Sequence, residues 1–195
     1  MGEMLRTTST RNEMTTLANK FLINCPLGAQ VSVDLIIGQV SPGPTNTREH
    51  SVLSFTVFHY NPPNHESIAW SVYRSSNWTA GGGGMNPFTY DRTDLKIGNV
   101  GWSSNEVTIR VTGDYYVYVS GGAQPNNQLG LTVQRNSNSL FGVYRTATTN
   151  GHESLGYGAV VRLQSGERLK VIAEPNTEGF GTQERHTSFF GFLIV

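Results

Sequence analysis

Apolar and polar positions alternate with a period of two along much of the chain, and no segment keeps a helical period. Leu169, Val171 and Ala173 share one face, while Lys170, Ile172 and Glu174 take the other, the pattern of a half-buried strand. Ile68, Trp70 and Val72 alternate with Ala69, Ser71 and Tyr73, and Val107, Ile109 and Val111 lead towards Tyr115, Val117 and Val119. Gly113 marks a bulge or sharp bend between those last two pieces. Further strands are expected over 88–97, 129–133, 141–145 and 158–163. The run Phe189, Phe190, Phe192, Leu193, Ile194 and Val195 is too apolar for an exposed edge, which places residues 188–195 centrally in a sheet. Which of Tyr115, Tyr116, Tyr118, Phe189 and Phe192 face outward is not fixed by periodicity, and most of them read as core. About nine or ten short strands separated by Gly, Pro, Asn and Ser turns predict an all-β sandwich or jelly roll.

The pattern also repeats. Residues 28–58 run in parallel with residues 166–192: a Gly opens a strand carrying Val33 or Val171, then a loop carries Arg48 and His50, or Arg185 and His186. Ser54-Phe55 and Phe58 then match Ser188-Phe189 and Phe192. An internal repeat governs the reading of the whole chain. Residues 1–60 correspond to the rear strands of a module, residues 61–65 (with Asn61-Pro62-Pro63-Asn64) form a linker, and residues 66–195 form a complete module. A half module exposes its apolar face, so completion by strands of another chain is expected.

Composition narrows the partners. The 195 residues carry 14 basic and 14 acidic side chains, a formal charge of zero that disfavours nucleic acid or an anionic membrane as the main partner. The one cysteine, Cys25, excludes an intramolecular disulfide and reads as a small buried hydrophobe. No apolar run reaches the roughly 18 residues of a membrane helix. The polar start of the chain lacks a signal core, so a secreted protein would carry its signal outside this sequence.

Motifs for catalysis are missing. His65-Glu66 and His152-Glu153 lack a second His at metalloprotease spacing, and there is no Gly-x-Ser-x-Gly elbow. The Gly81–Gly84 run lies in a loop with no helix after it, and so is no dinucleotide fingerprint. The chain is expected not to be an enzyme and to need no cofactor. Its loops nevertheless offer aromatic, amide and charged groups suited to glycan or peptide ligands: Arg74, Trp78, Asn127, His152, Tyr157 and Arg185. Trp78, an apolar residue in a polar Gly-rich stretch, is the sharpest of these. Asn77-Trp78-Thr79 is a glycosylation sequon. Asp91 and Asp94 could supply oxygen ligands to a cation, although turn capping is the simpler role.

With these strands in place, residues 66–195 resemble the globular C1q domain of the C1q and tumour-necrosis-factor jelly-roll superfamily. The resemblance rests on Ile68-Ala69-Trp70-Ser71-Val72, on Phe88 and Asn99, and on Gly113-x-Tyr115-x-Val117, where the family has Gly-x-Tyr-x-Phe. Ser165-Gly166-Glu167-Arg168-Leu169 and the closing Ser188-Phe189-Phe190-Gly191-Phe192-Leu193 complete it. It implies a ten-stranded jelly roll, trimeric and extracellular, used for recognition, with pattern-recognition or lectin-like binding as the leading use. A structural matrix, coat or fibre protein built of tandem modules is the alternative, and a cytokine-like receptor ligand follows from the superfamily alone. The resemblance also implies a calcium loop whose acidic positions fall on Arg145 and Glu153; Arg145 cannot coordinate a cation.

Overall fold

A computed structural model describes residues 67–146, 153–182 and 185–194. The half module over residues 1–60, the linker at 61–65, Cys25 and His152 lie outside these described residues. Within them the chain forms thirteen strands and no helix. In chain order these are β1 (Ala69–Tyr73), β2 (Trp78–Thr79), β3 (Asn86–Pro87), β4 (Arg92–Ile97), β5 (Val100–Ser103), β6 (Glu106–Ile109) and β7 (Gly113–Ala123). They continue with β8 (Leu129–Arg135), β9 (Asn138–Arg145), β10 (Glu153–Leu163), β11 (Arg168–Ala173), β12 (Glu178–Phe180) and β13 (Ser188–Leu193).

All pairings are antiparallel, and they make two sheets. Sheet A has seven strands in the order β2-β12-β7-β13-β1-β4, with β10 on the far side of β7. Sheet B has six in the order β5-β6-β11-β8-β9, with β3 extending the β6 side of β11. The expected central position of the closing strand holds: β13 lies between β7 and β1. Gly113 is more than a bulge, because β6 belongs to sheet B and β7 to sheet A. Of the segment expected as a strand over 88–97 only Arg92–Ile97 forms one, β4, because Phe88 and Tyr90, between β3 and β4, turn their rings into the core.

Alternation along each strand decides what the sandwich buries. Trp70, Val72, Tyr115, Val117, Val119, Phe189 and Leu193 point inward from sheet A and meet Val107, Ile109, Leu129, Leu131, Val133, Leu169 and Val171 from sheet B. Trp70 is the largest of them, and its ring lies over Gly191 across the β1–β13 pair. Any Cβ at Gly191 would run into that ring. Tyr115 is anchored by its hydroxyl, which donates to the Val111 carbonyl at 2.7 Å. A row of rings lines one side of the core: Trp78 meets Phe88 edge-on at 4.8 Å, Phe88 meets Tyr90 at 4.8 Å, and Tyr90 stacks on Phe189 at 6.1 Å. Such geometries suit the ring quadrupole as well as the buried area.

Candidate binding pocket and aromatic face

Two features of the sandwich can serve recognition. The first is a pocket of about 200 Å³ where β2 of sheet A comes close to β3 of sheet B. It is lined by Arg74, Thr79, Asn86 and Thr89 on the polar side, and by Trp78, Ala80, Pro87, Phe88 and Ala173 on the apolar side. Arg74 follows β1 directly and is held from two directions. Its backbone N–H donates to Thr187 O at 2.9 Å, and its Nη1 donates to Thr89 O at 3.3 Å. The next residue, Ser75, donates from its backbone N and from its Oγ to the two carboxylate oxygens of Asp91, at 2.8 and 2.9 Å. Partial burial raises the Asp91 pKa, but the Ser75 hydrogen bonds and the Arg74 charge outweigh it, so the carboxyl sits below the usual range. The Arg74 Nε is buried with no acceptor among the described residues.

Trp78, expected in a loop, stands on a strand instead. It lies on β2, is 9% exposed, and packs over Gly179 of the neighbouring β12. The missing side chain at Gly179 opens a slot for the indole, and the edge of Phe88 closes it. Arg74 and Trp78 therefore share one pocket, the indole as a wall and the guanidinium as the charged group. Asn77 is exposed beside it, so the sequon is open to solvent.

The other candidates are scattered. Asn127 donates from its Nδ2 to Glu178 Oε2 and its turn is thereby fixed against β12. Tyr157 is 53% exposed on β10 and sets its edge against Phe141 at 5.5 Å. Arg185 forms a two-point pair with Asp94, its Nε donating to Oδ2 at 2.5 Å and its Nη2 to Oδ1 at 3.0 Å, while its guanidinium lies 5.1 Å from the Tyr73 ring centre. That pairing occupies both oxygens of Asp94, as Ser75 occupies both of Asp91. Glu153 Oε2 lies 2.8 Å from Arg145 Nε, and the two form an ion pair. Arg145 Nη1 donates to Gln124 O at 3.1 Å. The acidic positions singled out for a metal are thus engaged one by one, and no three His, Cys, Asp or Glu groups converge among the described residues.

The second feature is the outer face of sheet A. Tyr116, Tyr118, Phe190 and Phe192 project to this side in adjoining rows, with centroids 5.0 Å apart for Tyr118 and Phe190, which are buried within the chain, and 5.5 Å apart for Tyr116 and Phe192, which are partly exposed. The tyrosine rings lean across the paired strand β10, where Gly156 and Gly158 have no side chain to obstruct them. Beside them Val160, opposite Tyr116, is 61% exposed. Phe192, read from sequence as core, is half-buried on this face. The physical reason is register: Phe192 pairs with Tyr116 and Ala69, so it points away from the side that holds Phe189 and Leu193. At the β12 end the same face carries a buried polar group, in which Ser120 and Ser188 share a hydrogen bond of 2.7 Å and Ser154 lies 3.2 Å from His186 Nδ1.

The sequence did not single out Thr89, Asn86 or the Gly156–Gly158 pair. Pro87 was one available signal, since proline within a strand marks an edge. Two glycines at a spacing of two, opposite two tyrosines, were the other.

No family model matches the chain, and no curated protein sequence matches it. Solved structures do. The chain is similar to murine APRIL in its crystal structure at pH 5.0, with a TM-score of 0.55 at 14% identity, over 66% of this chain and 99% of that one. It is similar to Eiger TNF from S. frugiperda, with a TM-score of 0.56 at 15% identity, over 67% of this chain and 94% of that one. The globular domain of zebrafish complement 1qA protein is 21% identical, and at a TM-score of 0.49 carries no weight. At such identities the likeness establishes the fold alone, an all-β jelly roll like those of APRIL and Eiger TNF.

Proposed function

We propose that residues 66–195 form a non-enzymatic extracellular recognition module that assembles with copies of itself, as a trimer, through the outer face of sheet A. The single observation behind this is the aromatic face. Tyr116 and Phe192 are half-buried and Val160 is exposed, on a surface kept flat by Gly156 and Gly158. Exposed and half-buried apolar groups side by side on one face mark a surface suited to a protein partner. The jelly-roll fold is in keeping with recognition in general, and ligands would be met by the loops at the sandwich ends. Asn77 would carry a glycan if the chain passes through a secretory pathway.

Light scattering on residues 66–195 at micromolar concentration tests the reading. A mass of three chains is expected, falling to one chain in Val160→Arg with the circular dichroism spectrum unchanged. Val160 is exposed, so the substitution leaves the core alone. A monomeric parent protein would sink the proposal. Masses that keep growing with concentration would instead favour a matrix or fibre protein.

A further inference from the structure

We propose that the pocket between β2 and β3 takes the carboxylate of an acidic sugar, and that Arg74 reads it. This deepens the recognition-module reading above and rests on it.

The argument starts from an unmet hydrogen bond. Arg74 Nε is buried and has no acceptor, in a side chain that keeps its charge at any physiological pH. A buried N–H of a cation left without an acceptor is costly, and native structures retain such a group where a ligand or water completes it. The guanidinium presents its donors along edges. Nη1 is already used by Thr89 O, which leaves Nε and Nη2 as the parallel pair that a carboxylate accepts with both oxygens. The geometry is held in place, because Thr187 O fixes the Arg74 backbone and the Ser75–Asp91 pair fixes the turn after it.

The rest of the lining indicates what carries the carboxylate. No acidic residue lines the pocket, and Arg74 is its only charge among the described residues. Thr79, Asn86 and Thr89 offer hydroxyl and amide groups that both donate and accept, the complement of a hydroxylated ligand. Trp78, Pro87, Phe88 and Ala173 supply apolar walls for the C–H faces of a ring. The volume is below the range of about 300–1,000 Å³ that whole drug-sized ligands occupy, so the pocket suits one terminal unit of a chain.

The probe is glucuronate, titrated into the full-length protein by calorimetry, with the indole N–H signal of Trp78 followed by NMR. Glucuronate is expected to bind and to shift that signal, and glucose to bind at least about tenfold more weakly, the worth of one charge-assisted hydrogen bond. Arg74→Gln should abolish glucuronate binding, and Arg74→Lys should weaken it by a similar factor, because an ammonium keeps the charge and loses the paired donors. Equal affinity for glucose and glucuronate overturns the proposal, as does an Arg74→Lys protein that binds normally. Tighter binding of N-acetylaspartate methylamide than of glucuronate would overturn it too, by assigning the pocket to acidic peptides. If Arg74→Gln misfolds, the Trp78 signal in the parent protein still decides, since glucuronate that leaves it unmoved binds elsewhere or not at all. The outcome is separable from that of the assembly reading: a trimer indifferent to glucuronate sinks this inference alone, and a monomer that binds it sinks only the assembly.

Discussion

Single residues here are constrained by what their neighbours lack. Gly191 has no side chain because the Trp70 ring lies over it, so Gly191→Ala should cost about 1–3 kcal/mol, the usual penalty for overpacking a core. A shift in the urea midpoint at unchanged slope checks this. Tyr90 presents the opposite case, a group present without a partner. Its hydroxyl is buried and unbonded, and burial pushes its pKa well above the usual 10.0. The sign follows directly: the folded state holds the proton more tightly, so this contribution is intact below pH 10 and is lost as pH rises through the folded value. Tyr90→Phe should therefore leave stability at pH 7 unchanged or raised, because no hydrogen bond is lost. It should also flatten the fall in stability above pH 10. Melting curves at pH 7 and pH 10.5 measure both effects, and a clearly destabilised variant at pH 7 would show that the hydroxyl has a partner.

At the scale of strands, period-two alternation made most of the architecture legible and left faces and short pieces hidden. The positions of β1, β6, β8, β11 and β13 follow from their apolar alternation, and the central place of β13 follows from its density of rings. Pieces of two or three residues, such as β2, β3 and β12, carry too few side chains to show a period. For the same reason the pocket was only half visible: Arg74 and Trp78 could be named, but not that β2 and β3 bring them together with Asn86 and Thr89. Aromatic runs defeat alternation in another way, since Phe189, Phe190 and Phe192 look alike whichever face they take. Register settles it and gives a measurable contrast. Phe189→Ala empties a core site and should cost about 3–5 kcal/mol, whereas Phe192→Ala, on the outer face, should cost markedly less in a monomeric background such as Val160→Arg. Equal losses would place Phe192 in the core after all.

The whole molecule joins the first 60 residues to this module. Their correspondence to rear strands of the same module supports strand completion between chains, a proposal that deletion can test. Removing residues 1–60 should leave the second module folded and should limit assembly to the trimer expected of the aromatic face. If the full chain and the shortened one have the same number of chains per particle, completion between chains is wrong.

The place of β13 also governs when this module can come into being. Ala69 pairs with Phe192, and on the other side of β13 Phe192 pairs with Tyr116. During synthesis β1 and β4 can form a hairpin-like pair, and β7 can meet β10, but nothing joins these halves of sheet A until residues 188–193 exist. Each half must therefore wait with an unsatisfied edge, and the wait scales with the length of chain still to be made. Closure then depends on contacts far apart in sequence, which places folding in the slow range of about milliseconds to seconds. A chain of this design gains its identity late, from its last strand inward, and is most exposed to capture by chaperones or by its own copies just before that strand arrives.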